Sequence, residues 1–388
     1  MKYIRTYETK EKFLTDKDST SRGFRLKPTL YKYSDESEDE DNRDHIYLEL
    51  DDPRKHEGST YMEIALSSDV EFSFYIGNKT GDTQTTMNCS IDWGDGTVET
   101  KTITADDKGF KLAHSYVAGS YKIELYNMER GYRVVGDDAN DRSLISHPSS
   151  VKRVVLGEGV VSIGDWTFYS CSSLTSVTIP EGVTSIRTAA FLNCHSLKSI
   201  NIPVGVTSIN WGTFGNCYSL KSIDIPEKVT SILASAFHDC SSLKSIYIPE
   251  GVTSIGAYAF NGCSSLTSIN IPESVTSISA GIFYRCSSLT SINIPESVNS
   301  IGNQAFERCS TLKSIDIPEK VTSIGDSAFQ DCSSLTSISS FNLTTPTLGG
   351  NIFLNLPTNG TLHIKPGATG YDAWLSKLPE GWRIVEDL

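Results

Sequence analysis

Cys171–Asn193 reads CSSLTSVTIPEGVTSIRTAAFLN, and its pattern returns at one fixed interval, the step from Cys171 to Cys194. Cysteine keeps that interval at Cys171, Cys194, Cys217, Cys240, Cys263, Cys286, Cys309 and Cys332. Seven prolines, from Pro180 to Pro318, and eight phenylalanines, from Phe168 to Phe329, keep the same register. A period of about 20–30 residues with a fixed apolar set marks a solenoid, in which each repeat buries its face against its neighbours. Identical residues then stack into ladders, on rungs roughly 4.8 Å apart.

Within one repeat, Leu174, Val177 and Ile179 form L-x-x-V-x-I, the strand half of a leucine-rich repeat. The alternation predicts a short strand with one buried face. Pro180 ends it, because proline cannot donate a ladder hydrogen bond. Val183, Ile186, Ala190 and Phe191 belong to a return segment, either a second short strand or a tight helical turn. Val151, Val154 and Leu156 repeat the strand pattern one period earlier. Free cysteine is among the most buried residue types, so the cysteine ladder is expected as reduced, buried thiols rather than disulfides. No C-x-x-C or paired histidine suggests zinc. Cys89 lies outside the repeats, and native labelling by a thiol reagent is expected to reach at most this one thiol.

The segments C-S-S-L-T-S-I-N-I-P-E-S-V-T-S-I from Cys263 and I-G-D-S-A-F from Ile324 resemble the BspA-like leucine-rich repeats of surface proteins in gut and oral bacteria. The resemblance covers Val151 to about Ser340. It departs from the commoner pattern in placing cysteine three residues before the leucine. It implies adhesion to host proteins or to other cells.

Residues 1–60 are polar and carry the acidic run Asp35–Asp41. Such runs are solvated. This segment is expected to be an arm that docks to a protein carrier (capsid, tail or cell envelope), with a strand at Ile46–Leu50. Residues 61–136 alternate like an antiparallel sandwich, with strands expected at Tyr61–Leu66, Glu71–Ile76, Asn88–Trp93, Val98–Ile103 and Ser120–Tyr126. Ile91-Asp92-Trp93-Gly94-Asp95-Gly96-Thr97, then His114-Ser115-Tyr116 and Gly119-Ser120-Tyr121, resemble the polycystic kidney disease (PKD) domain. That resemblance implies an immunoglobulin-like spacer or binding module rather than an enzyme. Asp92 and Asp95 are the metal candidates, for calcium. The preferred reading there is an Asp-stabilised hairpin turn. Residues 137–150 read as a polar linker. After the repeats of residues 151–340, residues 341–388 form a cap with Thr361–Ile364, a helix at Tyr371–Lys377 and Trp382–Val385. Trp374 and Trp382 are expected in its core. The fold class is therefore mainly β: an immunoglobulin-like PKD sandwich, a leucine-rich-repeat solenoid, and a small C-terminal α/β cap.

One column on the strand face runs Thr178, Asn201, Asp224, Tyr247, Asn270, Asn293, Asp316. Beside it run a serine column and a Thr/Lys column containing Lys198, Lys221, Lys244 and Lys313. This polar face is the candidate binding surface for a protein or carbohydrate ligand. The competing reading is that it only solvates the sheet.

Net charge is −13, and no basic patch with interleaved aromatics occurs, so nucleic acid is not an expected partner. No run of about 18 apolar residues exists, so membrane insertion is not expected either. Catalytic and nucleotide-binding motifs such as G-x-S-x-G, H-E-x-x-H and G-x-x-x-x-G-K-[ST] are missing, so the expectation is a non-enzymatic protein without cofactor. Met1–Lys10 lacks the apolar stretch of a signal peptide. With modules of extracellular type, this favours a bacteriophage virion fibre or decoration protein. The alternatives are a bacterial cell-surface adhesin and a structural decoration protein without a receptor.

Overall fold

The computed structural model describes residues 59–78, 86–104, 110–126, 132–134 and 145–388. The arm of residues 1–58, with its acidic run and the strand expected at Ile46–Leu50, lies outside the described residues, as do residues 137–144 of the linker. The described chain is mainly β, and its α-helix is one four-residue turn.

Seven strands precede the repeats: β1 (Thr60–Leu66), β2 (Val70–Asn78), β3 (Thr86–Asp92), β4 (Val98–Thr104), β5 (Phe110–Tyr116), β6 (Gly119–Tyr126) and β7 (Tyr132–Val134). The sequence reading missed β5 and β7. The first two rungs follow, one with β8 (Val151–Val155) and β9 (Val160–Ile163), the next with β10 (Ser176–Thr178) and β11 (Ser185–Ile186). One sheet runs β10-β8-β1-β6-β3-β4, and the other β11-β9-β7-β2-β5. Both sheets therefore pass from the N-terminal strands straight into the repeats. β8 pairs antiparallel with β1, Met62 opposite Val154, and parallel with β10, Val154 opposite Val177. The stretch expected as a linker already holds a 3₁₀ turn at Pro148–Ser150 before β8 begins. Buried residues from Met62 to Trp382 form one apolar cluster.

Each repeat contributes two short strand segments. The L-x-x-I half supplies pairs such as Ser245–Ile246 with Ser268–Ile269. The S-I of the return half supplies a second ladder, Ser208–Ile209, Ser231–Ile232, Ser254–Ile255. Both readings of the return segment thus apply in order: a two-residue strand, then a tight turn. The turn needs two left-handed residues per rung, for example Ala189 (φ 51°) and Asn193 (φ 65°). Glycine holds one such position at Gly281 (φ 58°), where a Cβ would lie 2.1 Å from the Tyr258 ring. Across rungs, each ladder phenylalanine N–H from Phe168 to Phe329 donates to the carbonyl just before the next rung's phenylalanine, as Phe237 does to Ala259, at 2.8–3.1 Å. Side chains bond at the same period: the Thr253 hydroxyl donates to the Thr230 carbonyl, 23 residues earlier, at 3.3 Å.

Besides the leucine, valine and isoleucine ladders, two others run through the core. The rings from Phe168 to Phe353 stack with centroids 5.3–6.3 Å apart and planes within 22°. Trp374 closes the series 5.7 Å beyond Phe353. From Cys194 to Cys332 each thiol donates to the carbonyl of the phenylalanine 26 residues earlier, at 3.1–3.4 Å. Cysteine at this position is a small buried side chain that adds a second donor to a carbonyl already accepting the backbone N–H of its own turn, as Phe214 accepts from Cys217 and from the Cys240 thiol.

All nine cysteines are free and buried. Cys89 is as buried as the others, at 0% exposure, because it points into the core from β3. The expectation of at most one reactive thiol therefore narrows to none. Burial pushes the thiols up, Cys89 and Cys332 to about 12, and a buried thiol without thiolate character is inert. A thiol reagent should therefore label none of the nine in the native chain and all nine after denaturation without reductant. A native thiol that reacts at the rate of a free one would contradict this packing.

The register does not stop at Ser340. Ser323–Ile324 pairs with Thr347–Leu348. The step from Phe329 to Phe353 is one position longer than the step from Phe306 to Phe329, so a single insertion disguises a further rung. Ser337–Ser340, Thr361–Ile364 and Arg383–Glu386 then pair in parallel. The helix is shorter than expected, Asp372–Leu375. Trp374 and Trp382 are buried, as the sequence suggested.

Candidate binding surface

The strand-face column forms as a column. Asn201 bridges Asp224, and Asp224 bridges Tyr247, each in parallel. Thr178, Asn201, Asp224, Tyr247, Asn293 and Asp316 are exposed, and so are Lys198, Lys221, Lys244 and Lys313. Asn270 differs. Its amide donates to the Ile248 carbonyl at 2.8 Å and accepts from the Ile248 N–H at 3.0 Å. It replaces a ladder pair, so its side chain is committed to the sheet. Tyr247, 55% exposed, is the column's aromatic.

Around the hairpin turn, Asp92 accepts the Gly94 N–H and Asp95 accepts the Thr97 N–H, both at 2.9 Å. Asp95 also meets His114 Nε2 at 2.7 Å. Burial pushes the Asp95 carboxyl up. The bonds from His114 and Thr97 outweigh it and leave the group below its ordinary range. Behind the turn, Trp93 is fully buried and stacks on His114 at 5.0 Å, and its carbonyl accepts the Tyr116 hydroxyl at 2.8 Å. Among the described residues no three His, Cys, Asp or Glu side chains gather as a metal site. One oxygen of each carboxylate accepts a turn N–H, and the other oxygen of Asp95 meets His114.

A lowered carboxylate contributes stability that is present above the unfolded value, about 3.9, and is lost as pH falls through the folded value. Asp95→Asn should therefore lower stability at pH 7 by up to about 1 kcal/mol and make little difference near pH 2. Equal effects at both pH values in thermal melts would show that the charge is not what the turn uses.

The sequence reading overlooked a second surface, at the turn edge of the first rungs. Trp166, Tyr169 and Trp211 meet there: Trp166 lies 5.2 Å from Tyr169 and 5.8 Å from Trp211. Trp211 is 42% exposed. The available signal was departure from consensus, since the equivalents of Trp211 in other rungs include Thr188, Ala234 and Asn303. His195 and Tyr218 make a further stacked pair, 4.7 Å apart.

Among the described residues no helix is long and apolar enough to cross a membrane. The profile of the BspA type leucine rich repeat region, in six copies, matches residues 146–263 and 230–359. The leucine rich repeat protein of T. pallidum, TpLRR, is similar at 29% identity over 47% of this chain and 82% of its own, with TM-score 0.42. A leucine rich cell surface protein of Faecalibacterium prausnitzii is similar at 22% identity over 77% of this chain and 99% of its own, with TM-score 0.34. The pneumococcal vaccine antigen PcpA is similar at 19% identity over 61% of this chain and 68% of its own, with TM-score 0.42. At these TM-scores the three likenesses add nothing to the profile match. No curated protein matches the chain.

Proposed function

Because the chain belongs to the BspA-type leucine-rich repeat family, we propose that it is a non-enzymatic binding protein displayed at a cell surface. The observation that carries this reading is the strand-face column. Asn201, Asp224 and Tyr247 stand exposed and bridged on adjacent rungs, over a core of stacked phenylalanines that fixes their spacing. A rigid row of polar groups loses little conformational entropy on meeting a partner. The exposed lysines Lys198, Lys221, Lys244 and Lys313 flank that row and suit a protein or carbohydrate ligand with acceptor groups. The surface association implied by the BspA-like resemblance supports the cell envelope as carrier, reached through residues 1–60. Nothing in the comparisons supports the virion carrier.

We read residues 61–136 as a PKD-like spacer. The hairpin at Asp92–Thr97, the buried Trp93 and the Tyr116 bond to its carbonyl support that assignment.

Antibody raised against residues 151–340 should label intact producing cells. Labelling only after lysis would overturn surface display, and labelling of released particles but not cells would move the carrier to a virion.

A further inference from the structure

The turn edge of the first three rungs holds groups that neither the stack nor the strand face explains. Trp166 has the left-handed backbone of its turn position, φ 57°, which bulky side chains rarely adopt. The same position in later rungs takes Ala189, Gly212, Ser235, Tyr258 and Gly281, so the turn itself does not ask for an indole. Trp211 adds an exposed indole where the fold is content with threonine or alanine.

Hydrogen bonds between rungs bring a polar pair to the same edge. Trp166 N–H donates to the Thr188 carbonyl at 2.9 Å, and Ala189 N–H donates to the Trp211 carbonyl at 2.8 Å. Asp165, Thr188 and Trp211 therefore occupy one column on successive rungs. Asp165, 8% exposed, accepts the Thr188 N–H at 2.9 Å and meets Arg187 Nε at 3.0 Å. The Arg187 side chain is 44% exposed. A guanidinium has five N–H donors, so one carboxylate leaves donors for a ligand.

We propose that this edge is a subsite for one pyranose unit of a neutral glycan. The sugar's C–H face stacks on Trp211, and its hydroxyl oxygens accept from the remaining N–H groups of Arg187, which Asp165 holds in place. Asp165 already neutralises Arg187, which weakens its pull on an anion while leaving N–H donors for hydroxyl oxygens. Trp166 is buried and Tyr169 half-buried beside it, so the freely exposed aromatic area is the Trp211 indole, the size of one sugar ring and far less than a protein partner covers. The inference deepens the binding reading above and rests on it, but it concerns a different edge from the Asn201–Tyr247 column.

The test is calorimetry and saturation-transfer NMR on the full chain with cellohexaose, maltohexaose, xylohexaose and mannohexaose. At least one should bind, with transfer to sugar C–H protons. Trp211→Ala and Arg187→Ala should each weaken binding about tenfold, the order expected for one lost aromatic or charge-assisted contact. Trp211→Tyr should retain most of it, and the melting temperature should change little in all three. Failure of all four sugars to bind, or binding unaffected by both alanine variants, overturns the subsite. Neither result touches the antibody labelling of intact cells, so surface display would stand or fall separately.

Discussion

Phe237→Ala is expected to cost about 3–5 kcal/mol, with the damage centred on residues 214–260. The ring is fully buried between Phe214, 5.6 Å away, and Phe260, 5.5 Å away. Removing it deletes two stacking contacts and leaves a gap in a column of identical neighbours that cannot close sideways. In a one-dimensional stack each rung touches only its neighbours, so the loss spreads by rungs. Hydrogen exchange should show protection falling in rungs 214–260 and holding in β3, Thr86–Asp92. A uniform drop along the chain would mean that the repeats unfold as one cooperative block.

Val154→Asp is expected to be at least as damaging, on the order of 4 kcal/mol or more, and to strike both sides of the junction. Val154 is 1% exposed, in the strand between β1 and β10. A carboxylate there has no cation to pair with inside the sheet. Since Val154 lies opposite both Met62 and Val177, the N-terminal strands and the first rungs should lose protection together. Val154→Ala gives a milder, foldable check of the same geometry. Loss confined to residues 176–186 in either variant would show that the N-terminal sheets do not depend on the repeats.

The repeat was legible because a fixed period with recurring Leu, Ile, Phe and Cys admits one way of burying them. The L-x-x-V-x-I strand and the start at Val151 followed from the same rule. What the cysteines do was not legible. Their burial follows from residue type, but the bond from each thiol to a phenylalanine carbonyl 26 residues back depends on the turn geometry. The rung at Phe353 was hidden by a single insertion, which breaks a strict period without breaking the stack. β5 was missed although His114 and Tyr116 were noted as a motif, because Phe110–Tyr116 mixes aromatic, charged and small residues. The joining of the sheets was beyond reach of local patterns, since β1 and β8 pair across about ninety intervening positions. On the candidate surface, periodicity named the strand-face column correctly as exposed except at Asn270. It passed over Trp166 and Trp211, because averaging over repeats discards the residues that depart from them.

One continuous core presents the polar column, and the N-terminal sheets close the first end of the repeat stack. Native-state hydrogen exchange under increasing denaturant tests this continuity directly. Amides of β1, β8 and β10 should open in the same transition, with one free energy and one denaturant dependence. Separate transitions for Thr60–Leu66 and for Val151–Thr178 would contradict it.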